Sequence, residues 1–283
     1  MQLTIIIPTC NRSVESLTRA IDSVINQHLS DFEIIIIDDS PRLNNKLKSL
    51  IVDKYSSYNL YYYINDGMHG VANARNLGVE LAKGQYVTFL DDDDMYLPGR
   101  LVNMLSEMEN KQNIFVSSGR FYEIGDFAEI HNVPYQYIGK IKLEDIKYAN
   151  DIDIGFMVTR SDFLRIGGFD PSFTNLEDWD FVIRMLKEGN GYKLGRLDYA
   201  VNIDPNRERV STNDSKGYRE LAQKYQQEFG LKWYSVMLAT ADRLEGNLSL
   251  IKTIRYVFLS GVKLPFIIYL KYKFQFLKKY LAR

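Results

Sequence analysis

The chain has 283 residues, and its 35 lysine and arginine residues nearly balance 36 aspartate and glutamate residues, which gives no indication of a polyanion-binding protein. Cys10 is the single cysteine, which excludes a disulfide framework and a cysteine-based zinc site, and the three histidines are scattered along the chain. We therefore expect any metal ion to be held by carboxylates.

The N-terminal segment and the hydropathy of the chain predict a cytoplasmic, ordered globular protein. The N-terminal segment has no basic leader, and its apolar run is too short for a signal peptide. No stretch reaches the roughly eighteen uninterrupted apolar residues that a membrane-spanning helix needs.

Alternating strand and helix patterns run through the first third of the chain. Continuous apolar, β-rich runs predict strands at residues 3–8, 32–37, 60–64 and 86–90. Apolar residues at helical spacing predict a helix over 17–25 with Ser13 as its N-cap, and a second helix over Val71–Lys83 closed by Gly84. This alternation predicts an α/β fold with a mostly parallel central sheet flanked by helices.

Polar side chains follow three of these strands, in the segments Pro8–Arg12, Asp38–Ser40 and Asp91–Asp94. Ordinary turn and cap residues are an alternative interpretation of each segment taken singly. The four adjacent aspartates are more informative, because their mutual repulsion requires either full solvation or a bound cation. Asp91 and Asp93 can converge on one side of a tight turn and offer hard oxygen ligands to Mg²⁺ or Mn²⁺.

Four motifs in register carry a family resemblance. They are Pro8-Thr9-x-Asn11-Arg12, Asp38-Asp39-Ser40, Ala74-Arg75-Asn76-x-Gly78 and Gly84-x-Tyr86-Val87-x-Phe89-Leu90-Asp91-Asp92-Asp93-Asp94. Their order and spacing, over about residues 2–210, resemble those of the family 2 glycosyltransferases with a GT-A fold. The resemblance implies a Rossmann-like nucleotide half and transfer of a sugar from a nucleotide-sugar donor.

The resemblance also implies a set of donor-binding residues. It assigns the nucleotide-sugar to Pro8, Thr9, Asn11, Arg12, Asp39, Arg75, Asp91 and Asp92. Asp39 would accept a hydrogen bond from the imide N–H of uracil, Arg75 would approach the diphosphate, and Asp92 would lie near the ribose. Asp93, together with Asp91, would hold Mn²⁺ or Mg²⁺ between the phosphates.

A fifth motif concerns the acceptor. Gly167-Gly168-Phe169-Asp170, followed by Glu177-Asp178-Trp179-Asp180-Phe181, resembles the segment of the family that carries the catalytic base. The match makes Asp178 the base of an inverting single displacement, with Glu177 and Trp179 on the acceptor side. The alternative is that these acids only favour the N-terminus of a helix through its dipole.

One departure from the family pattern concerns the metal site. Family members often place a histidine after the base as a further ligand, and no histidine follows His131 in this chain. Arg207 and Arg209 lie in the corresponding region, where they would either meet the diphosphate directly or form exposed loop cations.

The C-terminal segment has a different composition. Residues 246–283 contain eight bases and eight aromatic residues but no acid, so the preceding 27 bases face 36 acids and residues 1–245 carry a net charge of −9. Apolar stretches interrupted by bases favour helices that lie on an anionic cytoplasmic membrane surface. The alternative is a segment that docks on the catalytic domain or on another subunit.

The combined prediction is a metal-dependent inverting transferase. It comprises a GT-A domain over 1–245, with a nucleotide half over 1–95 and an acceptor half over 96–210, and a basic helical tail over 246–283. We expect transfer of a hexose or N-acetylhexosamine, from a UDP-sugar to a saccharide acceptor on a lipid, in surface polysaccharide synthesis at the inner face of the membrane. Two alternatives are disfavoured. A sugar nucleotidyltransferase would need a glycine-rich phosphate loop with Arg and Lys after the first strand, and this sequence has none there. An inactive saccharide- or membrane-binding scaffold would not need both acidic clusters, and both are intact. No nucleic-acid partner is expected.

Overall fold

The computed structural model describes residues 1–41, 45–109, 113–125, 127–133, 137–203 and 214–281. The chain divides into two compact units. The first comprises Met1–Pro171 and Phe181–Arg207, and the second comprises Ser172–Asp180 and Glu208–Arg283. The division at residues 95, 210 and 245 that we expected from the sequence stays a prediction.

One mixed sheet forms the centre of the first unit. Within the described residues its ten strands are β1 (Leu3–Thr9), β2 (Phe32–Asp38), β3 (Leu60–Ile64), β4 (Tyr86–Phe89), β5 (Met95–Tyr96), β6 (Phe115–Ile124), β7 (Glu129–Asn132), β8 (Gly139–Ile141), β9 (Met157–Thr159) and β10 (Gly191–Asn202). The main path runs β3-β2-β1-β4-β9-β6-β10-β5, with β7 paired to β6 and β8 to β10. The first four strands are mutually parallel, β6 and β10 are parallel to each other, and β9 pairs antiparallel between β4 and β6.

Helices connect the strands and cover the sheet. Those of the first unit are α1 (Val14–Ile25), α2 (Asn45–Lys54), α3 (Val71–Leu81), α4 (Arg100–Glu109), α5 (Leu143–Ile146) and α6 (Arg160–Ile166), and α7 (Glu177–Glu188) has its first four residues in the second unit. The Ser13 side chain accepts a hydrogen bond from the N–H of Ser16, which confirms the predicted cap of α1. The predicted central sheet flanked by helices is likewise present, and its four predicted strands, β1–β4, are mutually parallel.

Helix α3 ends at Leu81, two residues before the predicted end. The N–H of Lys83 donates to Glu33 at 2.7 Å and the N–H of Gly84 donates to Thr4 at 2.9 Å, so the chain leaves the helix to meet two buried side chains. A Cβ on Gly84 would lie 2.6 Å from the backbone nitrogen of Thr4. Gly84 therefore permits close approach of the chain to β1 and does not cap the helix.

A cluster of phenylalanines lies behind the end of β4. Phe89, Phe156, Phe163, Phe169 and Phe181 are almost fully buried, and the ring centroids of Phe89 and Phe169 are 5.1 Å apart. The aspartates that follow β4 therefore begin from a closely packed and rigid base.

Among its described residues, the second unit contains the helices α8 (Asp214–Leu244), α9 (Leu250–Ser260) and α10 (Leu264–Leu281). Gly230 has non-helical dihedral angles and divides α8 into two helical segments. Leu248 and Tyr256 pack with Ala239 of α8 in a buried cluster to which α10 contributes Tyr269 and Tyr272. Within the described residues, no helix has both the length and the apolar character required to cross a bilayer.

Candidate active site

The aspartates Asp91–Asp94 form a tight turn that is attached to the neighbouring strand. Strands β1 and β4 are paired in parallel, so Thr9 at the end of β1 lies beside this turn. The Thr9 hydroxyl donates a 2.6 Å hydrogen bond to Asp92, and both side chains are buried. The N–H of Asp94 donates to the carbonyl of Asp91 at 3.1 Å, which closes the turn. The structure thus brings together two of the segments that were predicted to form the site.

Two arginines neutralise part of the turn. Arg12 pairs with Asp92 and lies 3.4 Å from a carboxylate oxygen of Asp93. Arg75 pairs with Asp91 at 2.6 Å. Guanidinium groups bind phosphate oxygens in the same fork geometry as carboxylates, so the predicted phosphate contacts of both arginines are chemically compatible with their present pairing.

The remaining negative charge of the turn fits a divalent cation. Burial, followed by the negative charge of Asp91, raises the pKa of Asp93 to about 6. The side chains of Asp91 and Asp93 are 36% and 29% exposed, whereas that of Asp92 is only 5% exposed. No group of three or more histidine, cysteine or acidic side chains converges as a metal cage among the described residues. Asp91 and Asp93 nevertheless match the one or two carboxylates with which Mg²⁺ is usually held when phosphates complete its shell.

Asp94 is buried and anchors the end of the aspartate turn. Burial, with the charges of Asp91 and Asp93, raises the pKa of Asp94 well above its ordinary value. Its carboxylate accepts a 3.0 Å hydrogen bond from the N–H of Asn202 and another from the Tyr199 hydroxyl. The N–H of Asp91 lies 3.5 Å from the same hydroxyl. Tyr199 of β10 therefore fixes both ends of the aspartate turn.

Helix α1 supplies further support that sequence reasoning missed. Ser16 donates to the carbonyl of Asp92 at 2.9 Å, and Arg19 donates to the carbonyl of Asp93 at 2.6 Å. Arg19 also pairs at 3.0 Å with Glu123 of β6, a fully buried acid. The sequence feature that could have predicted this role is the spacing of Ser16 and Arg19, which lie three residues apart and share one face of α1.

Asp39 is held by the segment that leads into α3. One of its carboxylate oxygens lies 2.6 Å from the Asn65 amide nitrogen and 2.9 Å from His69 Nδ1, and the other accepts from the N–H of Gly70 at 2.8 Å. Neither His69 nor Asn65 was predicted to contribute. The sequence signal was weak, since His69 and Gly70 only precede a predicted helix.

The first motif contributes its backbone as well as its side chains. Pro8 is buried inside β1 and lies opposite Ile37 of β2. Asn11 is exposed, has a φ of 51°, and its N–H donates to the Ser40 hydroxyl at 2.8 Å. This contact joins the ends of β1 and β2, next to Asp39.

The motif in α3 serves both packing and charge. Asn76 exchanges two hydrogen bonds with the backbone of Phe169, at 2.9 and 2.8 Å. The guanidinium of Arg75 lies 5.7 Å from the centre of the Phe169 ring. A Cβ on Gly78 would lie 2.5 Å from the Ile6 side chain, so glycine allows α3 to approach β1 closely. The motif therefore positions Arg75 toward Asp91.

The predicted acceptor-side residues lie in the second unit. Asp178 is in the first turn of α7, where one carboxylate oxygen accepts from the N–H of Trp179 at 2.7 Å. Trp179 is 1% exposed and meets the Tyr218 ring edge to face at 5.6 Å, and Glu177 is also buried. Within this unit the Trp179 ring packs on Tyr218, and the acceptor-side role of Glu177 and Trp179 stays a prediction. Arg207 and Arg209 lie outside the described residues.

Comparison with known proteins agrees with the fold and the motifs. Residues 4–167 match the family model described as glycosyl transferase family 2. An uncharacterized glycosyltransferase of Haemophilus influenzae is 30% identical over 221 residues, covering 75% of this chain and 71% of that protein. Escherichia coli WfgD, a UDP-Glc:alpha-D-GlcNAc-diphosphoundecaprenol beta-1,3-glucosyltransferase, is 26% identical over 223 residues, covering 79% of this chain and 83% of that protein.

A solved structure shares the architecture. The crystal structure of S. aureus TarS 1–349 in complex with UDP-GlcNAc superposes with a TM-score of 0.65 at 18% identity, covering 88% of this chain and 74% of that one. This likeness confirms the GT-A fold that the sequence motifs predicted. The family match over residues 4–167 and the 30% identity to the Haemophilus influenzae protein show that the chain belongs to glycosyl transferase family 2.

Proposed function

We propose that this glycosyltransferase is a metal-dependent, inverting enzyme that transfers a hexose or N-acetylhexosamine from a UDP-sugar to a saccharide on a lipid carrier. The observation that carries the proposal is the aspartate turn Asp91–Asp94. Thr9, Arg12 and Arg75 hold this turn at the carboxyl ends of β1 and β4, where parallel sheets bind nucleotides.

The hydrogen-bonding capacity of Asp39 suits a uracil base. A carboxylate accepts about four hydrogen bonds, and the described contacts of Asp39 use three of them. The remaining acceptor position matches the single imide N–H of uracil. The UDP-Glc in the name of WfgD and the UDP-GlcNAc in the TarS complex also support a UDP-sugar donor.

The diphosphate would lie over the exposed part of the aspartate turn. Asp91 and Asp93 would hold Mn²⁺ or Mg²⁺, and Asp92, which is buried against Thr9, would face the ribose. A bound divalent cation supplies neutralising charge for the nucleoside diphosphate as it leaves. Arg12 and Arg75 would turn from their aspartates to the phosphate oxygens and add fixed positive charge.

Asp178 is the proposed catalytic base. It would remove the proton from the acceptor hydroxyl as that oxygen attacks the anomeric carbon, and the bond from that carbon to the nucleoside diphosphate breaks on the opposite face. One displacement of this kind inverts the anomeric configuration. Asp178 lies in the first turn of α7, where the helix dipole favours a negatively charged side chain.

The acceptor is proposed from the relatives. WfgD acts on a diphosphoundecaprenol-linked sugar by its name, and two further relatives are named for colanic acid and amylovoran biosynthesis. These names support a lipid-linked saccharide acceptor and a role in surface polysaccharide synthesis. The family match favours this reaction over the nucleotidyltransferase alternative.

A donor screen tests the proposal. The full chain is incubated with a panel of nucleotide-sugars, and nucleoside diphosphate release is measured with Mn²⁺ and with EDTA. We expect release from a UDP-sugar that requires the metal and is lost in Asp93→Asn. Release that is unaffected by EDTA would refute the metal dependence, and no release from any donor would favour the inactive scaffold.

A second pair of variants tests the base. Asp178→Asn is expected to abolish transfer while UDP-sugar binding survives. Asp162→Asn is the matched control, because Asp162 is also an acid in the first turn of a helix, α6, and it serves to cap that turn with Thr159 and Arg165. Turnover by Asp178→Asn at the rate of this control would remove Asp178 from the role of base.

A further inference from the structure

Helix α9 exposes an apolar face on the side opposite to its packed face. Ile251, Ile254 and Phe258, spaced three and four residues apart, are 82%, 60% and 87% exposed. Thr253 and Tyr256 point the other way and are buried. Residues at this spacing share one side of a helix, so α9 is apolar on both its inner and its outer side.

Helix α10 repeats the arrangement. Phe266, Leu270 and Phe274 follow each other at intervals of four residues and are 41%, 39% and 61% exposed. Ile268 and Tyr272, four residues apart, lie on the other side, where they pack on the buried cluster formed with α8 and α9. In both helices, therefore, the side opposite to the exposed apolar residues already packs within the second unit.

We define the outer face as Ile251, Ile254, Phe258, Phe266, Leu270 and Phe274. Such a concentration of exposed large apolar side chains marks a surface that is covered by another body. The inner sides of both helices already pack within the unit, so the outer face is the side that is available to a binding partner.

The charges around the outer face indicate which class of binding partner it fits. Arg255, Lys271 and Lys273 are exposed next to it on the same helices, and residues 246–283 contain no acidic residue. Two copies placed face to face would bring these bases together with no acid from this segment to neutralise them. A bilayer with anionic headgroups offers both an apolar interior and compensating negative charge.

We propose that the outer face of α9 and α10 docks on an anionic lipid bilayer. The six apolar side chains enter the boundary between headgroups and acyl chains, and the flanking bases contact lipid phosphates. Lys273 already rests on the rings of Tyr269 and Tyr272, at 5.7 and 5.2 Å from their centres, which keeps its ammonium group near the edge of the apolar face. The helices lie in the plane of the interface and do not cross it.

Vesicle flotation with the full chain tests this proposal. The probes are vesicles of phosphatidylcholine mixed with phosphatidylglycerol, and vesicles of phosphatidylcholine alone. We expect flotation with the anionic vesicles, weakened by added salt, and little with the neutral ones. The variant Ile254→Gln/Phe258→Gln/Phe274→Gln is expected to lower the partition coefficient by at least about a hundredfold, since three large apolar side chains no longer leave water.

The matched control is Val102→Gln/Ile130→Gln/Leu231→Gln, which removes three apolar side chains of 46–57% exposure outside the outer face. It should float like the wild-type chain, and melting curves followed by circular dichroism should show that both variants fold. Absence of flotation for the wild-type chain, or equal flotation of both variants, would overturn the proposal. A wild-type dimer that only the outer-face variant dissociates would assign the surface to a second copy instead.

This result is independent of the proposed reaction. Nucleoside diphosphate release from a soluble donor should be the same in the wild-type chain and in both triple variants, because none of the six substituted residues contacts the aspartate turn. A failure of vesicle binding with normal release would refute only the docking surface. A failure of release with normal vesicle binding would refute only the proposed reaction.

Discussion

Replacing Arg19 by methionine tests whether helix α1 positions the aspartate turn. Arg19 makes two described contacts of different kinds: a 2.6 Å hydrogen bond to the carbonyl of Asp93, and a 3.0 Å ion pair with Glu123. Methionine keeps the apolar stem but removes both. Arg19→Met should therefore lower both the stability of the protein and its affinity for UDP, for separable reasons.

The loss of stability follows from the burial of the two partners. Breaking a fully buried ion pair costs about 3–5 kcal/mol, while an exposed pair is worth about 1 kcal/mol or less. Glu123 is 0% exposed but Arg19 is 22% exposed, which places this pair between the two limits. We expect Arg19→Met to lower the free energy of unfolding by about 2–3 kcal/mol.

The double variant Arg19→Met/Glu123→Gln separates the two effects. Glutamine removes the unpaired buried charge and still accepts the 3.0 Å hydrogen bond from the N–H of Phe127. Urea denaturation followed by circular dichroism should show recovery of about 1–2 kcal/mol relative to Arg19→Met. The affinity for UDP in the presence of Mn²⁺ should stay about tenfold below wild type, because the Asp93 carbonyl still lacks its donor and the turn can shift. Wild-type affinity in Arg19→Met, or recovery of affinity together with stability in the double variant, would refute this reasoning.

Three further variants probe separate parts of the structure. Gly78→Ala should lower the free energy of unfolding by about 1–3 kcal/mol, because the added methyl group clashes with β1; an unchanged urea midpoint would contradict this. Tyr199→Phe removes the hydroxyl that contacts Asp94, and titration calorimetry should show UDP binding weakened by about tenfold; unchanged binding would mean that the turn does not depend on this contact. Hydrogen bonds from Arg219 lower the pKa of Glu245 in the folded protein. These bonds therefore stabilise the folded protein above the ordinary pKa of glutamate, and this stabilisation is lost as the pH falls through the lowered pKa of Glu245. The urea midpoints of Glu245→Gln and wild type should therefore differ near neutral pH and converge in acid, and a gap that persists in acid would contradict the assignment.

The sequence predicted those parts of the structure that depend on local patterns. The buried strand β1 appears as a continuous apolar run, and the helix that follows it is marked by a serine cap. Because parallel strands place their carboxyl ends at one edge, the proximity of Thr9, Arg12 and the aspartate turn followed from sequence order alone. The family motifs assigned Arg75 to the diphosphate, but they did not predict its pairing with Asp91.

Residues that support the site through distant contacts could not be found in this way. Tyr199 lies more than 100 residues from Asp91 in the chain, and it reaches the aspartate turn because β10 pairs with β5 and β6. Glu123 lies in β6 of the same sheet, which brings it into contact with Arg19. Neither contact leaves a periodic or compositional signal, since the pairing of non-adjacent strands depends on the packing of the whole sheet.

Titration of UDP into the full chain, with Mn²⁺ and with EDTA, tests the central claim most directly. The account predicts that Mn²⁺ tightens binding by at least about tenfold in the wild-type chain, because a bound cation links Asp91 and Asp93 to the diphosphate. Asp93→Asn should bind UDP equally weakly in both conditions while its melting curve remains that of a folded protein. Equal affinity of the wild-type chain with Mn²⁺ and with EDTA, or a metal-dependent gain that persists in Asp93→Asn, would contradict the assignment of the aspartate turn as the metal and diphosphate site.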